Sequence, residues 1–142
     1  MVKSMTETKM IVVVDGQGGN IGRQLIRSVR EAFPDVCIRA VGTNSAASVN
    51  MLKGGADEAA TGENALITAC RQADVIVGPI GIAIADALLG EVSPEMAKAV
   101  GQSTAKKVLV PLNRCDIYIP GTDGKSTNDI LDEAVKTIRD IL

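Results

Sequence analysis

Short apolar runs of strand length alternate with stretches of helical spacing along the whole chain. This alternation is typical of a parallel sheet whose strands are joined by crossover helices. The first run, Met10 to Val14, has no polar alternation, as expected for a strand covered on both faces. The other predicted strands are Val36 to Val41, Ala56 to Ala60, Asp74 to Val77 and Lys107 to Leu112, with Ile117 to Ile119 as a short edge strand.

Segments with helical spacing follow the predicted strands. The first is predicted from Asn20 to Phe33, where apolar residues recur every fourth position until Pro34 stops the helix. The other predicted helices are Ser45 to the Gly54-Gly55 pair, Glu63 to Arg71, Pro94 to Gln102, and one that begins after Ser126. Together these units predict one α/β domain over residues 1–142: a three-layer α/β/α Rossmann-like sandwich with a mainly parallel five-stranded sheet of order 3-2-1-4-5.

One apolar segment, Ile80 to Leu89, has no clear periodicity. It contains more aliphatic residues than a core of this size easily hides. Three alternatives stay open: burial in the chain's own core, packing against a second copy of the chain, and closure over a ligand.

The segment that joins the first strand to the first helix is the most informative. It reads DGQGGNIG from Asp15 to Gly22, and its glycines form a GxxGxxG pattern. Glycines at such a turn permit positive φ and close approach of a ligand, while helix N-terminal amides attract an anion. The alternative is a turn whose glycines only permit close helix packing. The predicted ligand contacts here are Gly16, Gln17, Gly18, Gly19, Asn20, Ile21 and Gly22, with a phosphate on the amides of Gly18, Gly19, Asn20 and Ile21.

The second strand departs from the usual dinucleotide-binding pattern. An acid ~20 residues after the glycines, at the end of the second strand, normally binds the ribose hydroxyls. This chain has Gly42-Thr43-Asn44-Ser45 there, and Asp35 lies at the other end of the strand. No Arg is placed for a 2′-phosphate. Thr43, Asn44 and Ser45 are candidates for binding a ribose, with a helix cap and a turn as the alternative.

The loops that follow the five strands are expected to meet at one edge of the sheet. They read DGQGGNIG, GTNS, TGEN, GPIGI and PLNRC, and the fold binds ligands at the switch between the first and fourth strands. Their small residues and amides suit a neutral or anionic polar ligand. Gly78, Pro79 and Ile80 therefore join the predicted contacts, and NAD(P) or another adenine nucleotide is the candidate cofactor.

Four residues are candidates for catalysis: Asp15, Glu63, Arg114 and Cys115. Asp15 suits a magnesium ion or a ribose, or accepts amide hydrogen bonds in its own turn. Glu63 begins a helix, where an acid suits the dipole or acts as a general acid. Arg114 would lower the pKa of the Cys115 thiol, but the chain has no His to deprotonate it. No metal site is predicted, and whether a reaction is catalysed stays open.

Composition removes several classes of function. The chain has 142 residues and a net charge of −2, without a basic run that would track nucleic acid. The lack of His excludes mechanisms that need imidazole. Tyr118 is followed four residues later by Thr122, so the tyrosine–lysine pair of short-chain dehydrogenases is missing. Unpaired cysteines, no apolar leader and no apolar run of ~20 residues predict a cytoplasmic protein with no membrane partner.

The motifs together carry a resemblance. IVVVDGQGGNIGRQL, AVGTN, MLKGGA, ATGENA, DVIVGPIGI and VLVPLNRC resemble a family of short bacterial proteins classed as a domain of unknown function, with a Rossmann-like fold. The likeness runs from Met10 to the last helix and implies no reaction. Through GxxGxxG alone, the chain is also similar to atypical short-chain dehydrogenases, some of which bind NAD(P) without turning it over. That second resemblance implies cofactor contacts at Gly16, Gly19 and Gly22.

These observations predict a nucleotide- or dinucleotide-binding module that holds a small phosphate-containing ligand and forms a homo-oligomer. Two alternatives stay open. One is a small lyase, transferase or hydrolase that acts on a phosphorylated metabolite. The other is a binding subunit that assembles with a larger enzyme.

Overall fold

A computed structural model of the chain describes residues 8–112 and 117–142. Its strands are β1 (Met10–Asp15), β2 (Cys37–Gly42), β3 (Glu58–Thr61), β4 (Val75–Pro79) and β5 (Lys106–Val110). They form one sheet with the order β3-β2-β1-β4-β5, and every neighbouring pair is parallel. The predicted Rossmann-like α/β fold and its strand order are therefore confirmed.

Helices cover both faces of the sheet. They are α1 (Asn20–Ala32), α2 (Ser45–Lys53), α3 (Glu63–Gln72), α4 (Pro94–Gln102) and α5 (Thr127–Ile141). Helices α1, α2 and α5 pack on one face together with Ile11 and Val13, while α3 and α4 pack on the other with Val12 and Val14. The central strand β1 thus buries alternate side chains on opposite faces, which explains its unbroken apolar run. Within the described residues, no helix is long and apolar enough to cross a membrane.

Polar caps define where three helices begin. Asn44 caps α2 by accepting a hydrogen bond from the amide of Ala47 at 2.8 Å. Ser93 caps α4 in the same way, directly before Pro94, where the sequence predicts that the helix begins. Ser126 caps α5 in a reciprocal capping box.

Two strand predictions differ from the structure at the carboxyl end of the chain. β5 ends at Val110, earlier than predicted, because Pro111 has no amide hydrogen to donate to the ladder. The predicted edge strand from Ile117 to Ile119 is wrong, since these residues lie outside any strand. Pro120 follows them, and the carbonyl of Ile119 accepts a hydrogen bond from the Thr122 hydroxyl at 2.7 Å. The segment therefore ends in a turn.

The apolar segment after β4 is neither a strand nor an α-helix. It begins with a short 3-10 turn, Ile80–Ala83, and continues in turns with positive φ at Asp86, Leu88 and Leu89. Ile82 is fully buried against α4, whereas Leu89 is 91% exposed. Burial in the chain's own core thus accounts for Ile82 but not for the tip of the segment.

Candidate functional site

The carboxyl ends of the strands meet at one edge of the sheet. Asp15, Gly42 and Thr61 end β1, β2 and β3 in register. Strand order reverses between β1 and β4, and ligands bind at such a switch in this type of sheet. The loops after β1, β2 and β4 come together there. Arg114 and Cys115, both predicted as catalytic candidates, lie outside the described residues.

Asp15 ties β1 to the first turn of α1. The residue is only 5% exposed. Oδ1 accepts a hydrogen bond from the Gly16 amide at 2.8 Å, and Oδ2 accepts one from the Gly22 amide at 2.7 Å. The sequence left three roles open for Asp15: binding a magnesium ion, binding a ribose, or accepting amide hydrogen bonds in its own turn. The structure shows the amide hydrogen bonds. The carboxylate therefore holds together the glycine turn, by which we mean residues 16–19.

The backbone amides around the glycine turn divide into two groups. The Gly19 amide was predicted to bind phosphate, but it donates to the carbonyl of Gly16 at 2.9 Å and is used inside the turn. In the described part of the chain, the amides of Gly18, Asn20 and Ile21 have no hydrogen-bond acceptor. These three amides lie at the positive end of the α1 dipole. They are the part of the predicted phosphate set that remains able to donate.

Contacts with α2 hold the glycine turn in place. Gly19 has a φ of 74°, and a Cβ there would lie 2.8 Å from the backbone of Ala47. Asn50 donates from Nδ2 to the Gly18 carbonyl and to Asn20 Oδ1, each at 3.0 Å. The sequence analysis missed Asn50, because nothing in the chain pattern relates an amide in the middle of α2 to the glycines.

Glu91 is a second residue that the sequence analysis missed. Its Oε1 accepts hydrogen bonds from the Gln17 amide at 2.8 Å, from Thr43 Oγ1 at 2.6 Å and from Asn44 Nδ2 at 2.9 Å. None of the described residues donates a hydrogen bond to Oε2. The loop after β4 therefore crosses the switch point and joins the glycine turn to the loop after β2.

The surroundings of Glu91 favour its charged form. Burial raises the pKa of this carboxyl, but hydrogen bonds from Thr43, the Gln17 amide and Asn44 outweigh burial and hold the pKa below the usual glutamate value. The carboxylate is thus an anion at neutral pH. In the sequence, Glu91 is a single acid after an apolar segment. Acids in such positions are common, so the sequence alone does not identify Glu91 as part of a site.

The remaining predicted contacts have different surroundings. Ser45 is the exposed first residue of α2. Gly78 and Pro79 are buried at the end of β4, and Ile80 is half-buried beyond them. A Cβ on Gly78 would overlap the carbonyl oxygen of Val14, so this glycine permits close approach of β4 to β1. Thr43 and Asn44 are the two residues of the β2 loop that take part in the hydrogen bonds around Glu91.

Glu63, another predicted catalytic candidate, lies in a structural contact, and the Cys70 thiol is buried in the core. Glu63 Oε2 accepts a hydrogen bond from Ser93 Oγ at 2.5 Å, which links the starts of α3 and α4. Burial raises the pKa of Cys70 to about 11, so this thiol is protonated at neutral pH. Among the described residues, no three His, Cys, Asp or Glu side chains converge as they would around a metal ion.

The solved structures that match this chain include those of two enzymes. One is a dodecameric FMN-dependent UbiX-like decarboxylase from Escherichia coli O157:H7, with a TM-score of 0.46, 17% identity and coverage of 94% of this chain and 92% of that chain. The other is a nucleoside-diphosphate-sugar epimerase from Pseudomonas aeruginosa, with a TM-score of 0.46 and 15% identity. It is matched over 95% of this chain and 48% of its own. No curated protein matches the sequence.

A family model matches residues 10–142, which include every strand and helix described above. Its description is "Domain of unknown function (DUF3842)". The sequence-based resemblance to a family of unknown function is therefore confirmed. With its glycine turn, its five-stranded sheet and this match over nearly the whole chain, the protein belongs to the DUF3842 family.

Proposed function

We propose that the protein is a nucleotide- or dinucleotide-binding module that holds a phosphate on the amides of Gly18, Asn20 and Ile21. One observation carries the proposal: these amides, which lack an acceptor among the described residues, lie at the N-terminus of a 13-residue helix beside the switch point. Unpaired helix N-terminal amides and the helix dipole together favour a bound anion.

The neighbouring contacts support a preference for negative charge. The Gln17 amide, the Thr43 hydroxyl and the Asn44 side-chain amide already bind one carboxylate oxygen, that of Glu91. Their hydrogen bonds lower the pKa of that carboxyl. The loops around the glycine turn therefore stabilise an anion in this chain.

Two acids that were candidates for catalysis have contacts that suit binding better than turnover. Asp15 accepts the amides of Gly16 and Gly22, and Glu63 accepts the hydroxyl of Ser93. Each carboxylate joins the start of a helix to another part of the fold. A binding module needs this rigidity at the site and does not need a general acid or base there.

Titration of the purified protein with NAD, NADP, ATP, ADP and AMP tests the proposal. At ligand concentrations near 1 mM, a site with a dissociation constant of about 0.1 mM adds about 1.4 kcal/mol to the free energy of unfolding. We expect at least one of these nucleotides to raise the melting temperature. Unchanged melting curves for all five would contradict the proposal.

A charge placed at Gly18 separates phosphate binding from the shape of the turn. A Cβ at Gly18 meets only Asn20 Nδ2, at 3.6 Å, so both Gly18→Asp and Gly18→Asn should fold. We expect Gly18→Asp to weaken nucleotide binding at least about tenfold, because its carboxylate repels the phosphate. The neutral and isosteric Gly18→Asn should retain most of the affinity, as measured by calorimetry. Equal affinity in both variants would place the phosphate elsewhere.

Assembly as a homo-oligomer in the cytoplasm also belongs to this proposal. Leu89 is 91% exposed after β4, and Val49 and Leu52 are exposed on α2. Large exposed apolar side chains are candidates for contact with a second copy. Light scattering should give a mass greater than that of one chain, and a monomer at high concentration would contradict this part of the proposal.

A further inference from the structure

We propose that Glu91 selects the sugar of the bound nucleotide: its carboxylate accepts a hydrogen bond from a free ribose hydroxyl and excludes a sugar that carries a 2′-phosphate. The inference rests on the proposed function, since it assumes that a nucleotide binds at the glycine turn. It adds the residue that recognises the sugar. This residue lies after β4, whereas the usual sequence pattern places the sugar-binding acid at the end of the second strand.

The position of Glu91 corresponds to an acid that the second strand lacks. In dinucleotide sites of this fold, an acid at the end of the second strand binds the ribose hydroxyls. Here β2 ends in Gly42, and the next two residues, Thr43 and Asn44, donate hydrogen bonds to Glu91 instead. The loop after β4 thus supplies a carboxylate beside the end of β2.

The two oxygens of this carboxylate have different surroundings. Oε1 accepts all three hydrogen bonds, from Gln17, Thr43 and Asn44. No donor to Oε2 is present in the residues that the structure describes. A carboxylate oxygen has two acceptor sites, so Oε2 can accept hydroxyl groups while Oε1 keeps the side chain oriented. Such an arrangement reduces the entropy lost when a ligand binds.

Sugar and phosphate contacts would be adjacent, as the covalent structure of a nucleotide requires. Gln17, whose amide holds Glu91, directly precedes Gly18, whose amide belongs to the proposed phosphate set. A ligand that contacts both must place hydroxyl groups next to an anionic group. A ribose with a 5′-phosphate has this pattern.

Charge explains the selectivity against a 2′-phosphate. Glu91 is an anion at neutral pH, and a phosphate at the sugar position would meet a like charge at short distance. A free hydroxyl instead donates a hydrogen bond to the charged oxygen, which is among the stronger types of hydrogen bond. The same carboxylate therefore favours the diol and disfavours its phosphorylated form.

A competing explanation is that Glu91 occupies the anion site itself and blocks it. Leu88 also lies close to the turn, since a Cβ on Gly16 would be 2.8 Å from its Cδ1. The two explanations predict opposite effects when the charge of Glu91 is removed. If Glu91 binds the sugar, removal of its charge should weaken nucleotide binding. If Glu91 blocks the site, removal of its charge should strengthen nucleotide binding.

The test compares ADP with 2′,3′-dideoxy-ADP, and NAD with NADP, on the wild type and on Glu91→Gln. Glutamine keeps an acceptor for the three anchoring donors and replaces the other oxygen with an NH₂ group. Calorimetry should show that the wild type binds ADP at least about tenfold more tightly than the dideoxy analogue. In Glu91→Gln both this ratio and the preference for NAD over NADP should fall at least about threefold. Glu95→Gln, the same change at an exposed position of α4, should leave both ratios unchanged.

The possible results separate the two proposals. If the wild type binds ADP and the dideoxy analogue equally, the role of Glu91 is refuted while the proposed function stands. Tighter binding of every nucleotide by Glu91→Gln would also refute it, in favour of the blocking explanation. If no nucleotide binds to the wild type or to Glu91→Gln, both the proposed function and the role of Glu91 are refuted.

Discussion

Gly78→Ala is expected to lower the free energy of unfolding by about 3 kcal/mol, a large effect for a single added methyl group. The new Cβ would overlap the carbonyl oxygen of Val14 and lie 3.0 Å from Ile82 Cδ1. Ile82 can shift, but Val14 belongs to β1, which pairs with both β2 and β4. Separating these strands would strain the hydrogen bonds in the middle of the sheet.

Urea unfolding followed by circular dichroism measures this loss, and Gly101→Ala is the matched control. Gly101 is exposed on α4, and a Cβ there has no atom within 4 Å. Alanine in a helix is favoured over glycine, so this variant should gain about 0.5–1 kcal/mol. If Gly78→Ala unfolds within about 0.5 kcal/mol of the wild type, β4 does not approach β1 as closely as described.

Gly19→Ala should cost about 3 kcal/mol for two separate reasons. Glycine adopts the φ of 74° at this position without steric strain, whereas alanine does not. In addition, the Cβ would lie 2.8 Å from both Cα and the carbonyl oxygen of Ala47. Because these are backbone atoms of α2, only a movement of the whole helix would relieve the contact. The glycine turn would then lose its support from α2.

A second glycine separates the two costs. Gly124 has a φ of 79°, close to that of Gly19, but a Cβ there would meet no atom within 4 Å. Gly124→Ala should therefore lose only the conformational part, about 1 kcal/mol. The difference between the two variants in the same denaturation experiment measures the approach of the turn to α2. Equal losses would show that this approach contributes nothing.

The order of the elements could be predicted because it is a local property of the chain. Apolar runs such as Met10 to Val14 and the caps at Ser93 and Ser126 each involve only a few neighbouring residues. The alternation of strands and helices then leaves few topologies in which every crossover connection is right-handed. The predicted edge strand from Ile117 to Ile119 was wrong, because the apolar character of three residues does not distinguish a strand from a loop.

The candidate site could be predicted only in part. The glycine pattern from Gly16 to Gly22 predicts a tight turn at the start of a helix, and the position of this turn between β1 and α1 follows from the periodicity. The residues that contact this turn could not be predicted from the periodicity. Asn50 lies 32 residues from Gly18, and Glu91 lies 74 residues from Gln17. No periodicity relates residues at such separations, so their contacts become visible only when the chain is folded.

By itself, the sequence determined a five-stranded parallel sheet, its strand order and a glycine turn at the start of α1. These depend on backbone conformation and on the apolar or polar character of near neighbours, both of which are written in short stretches of chain. Only the tertiary structure decided which amides of the turn remain unpaired and that Glu91 lies beside Thr43 and Asn44. Packing of the loops after three different strands brings these groups within hydrogen-bond distance, and hydrogen bonds act only at that range.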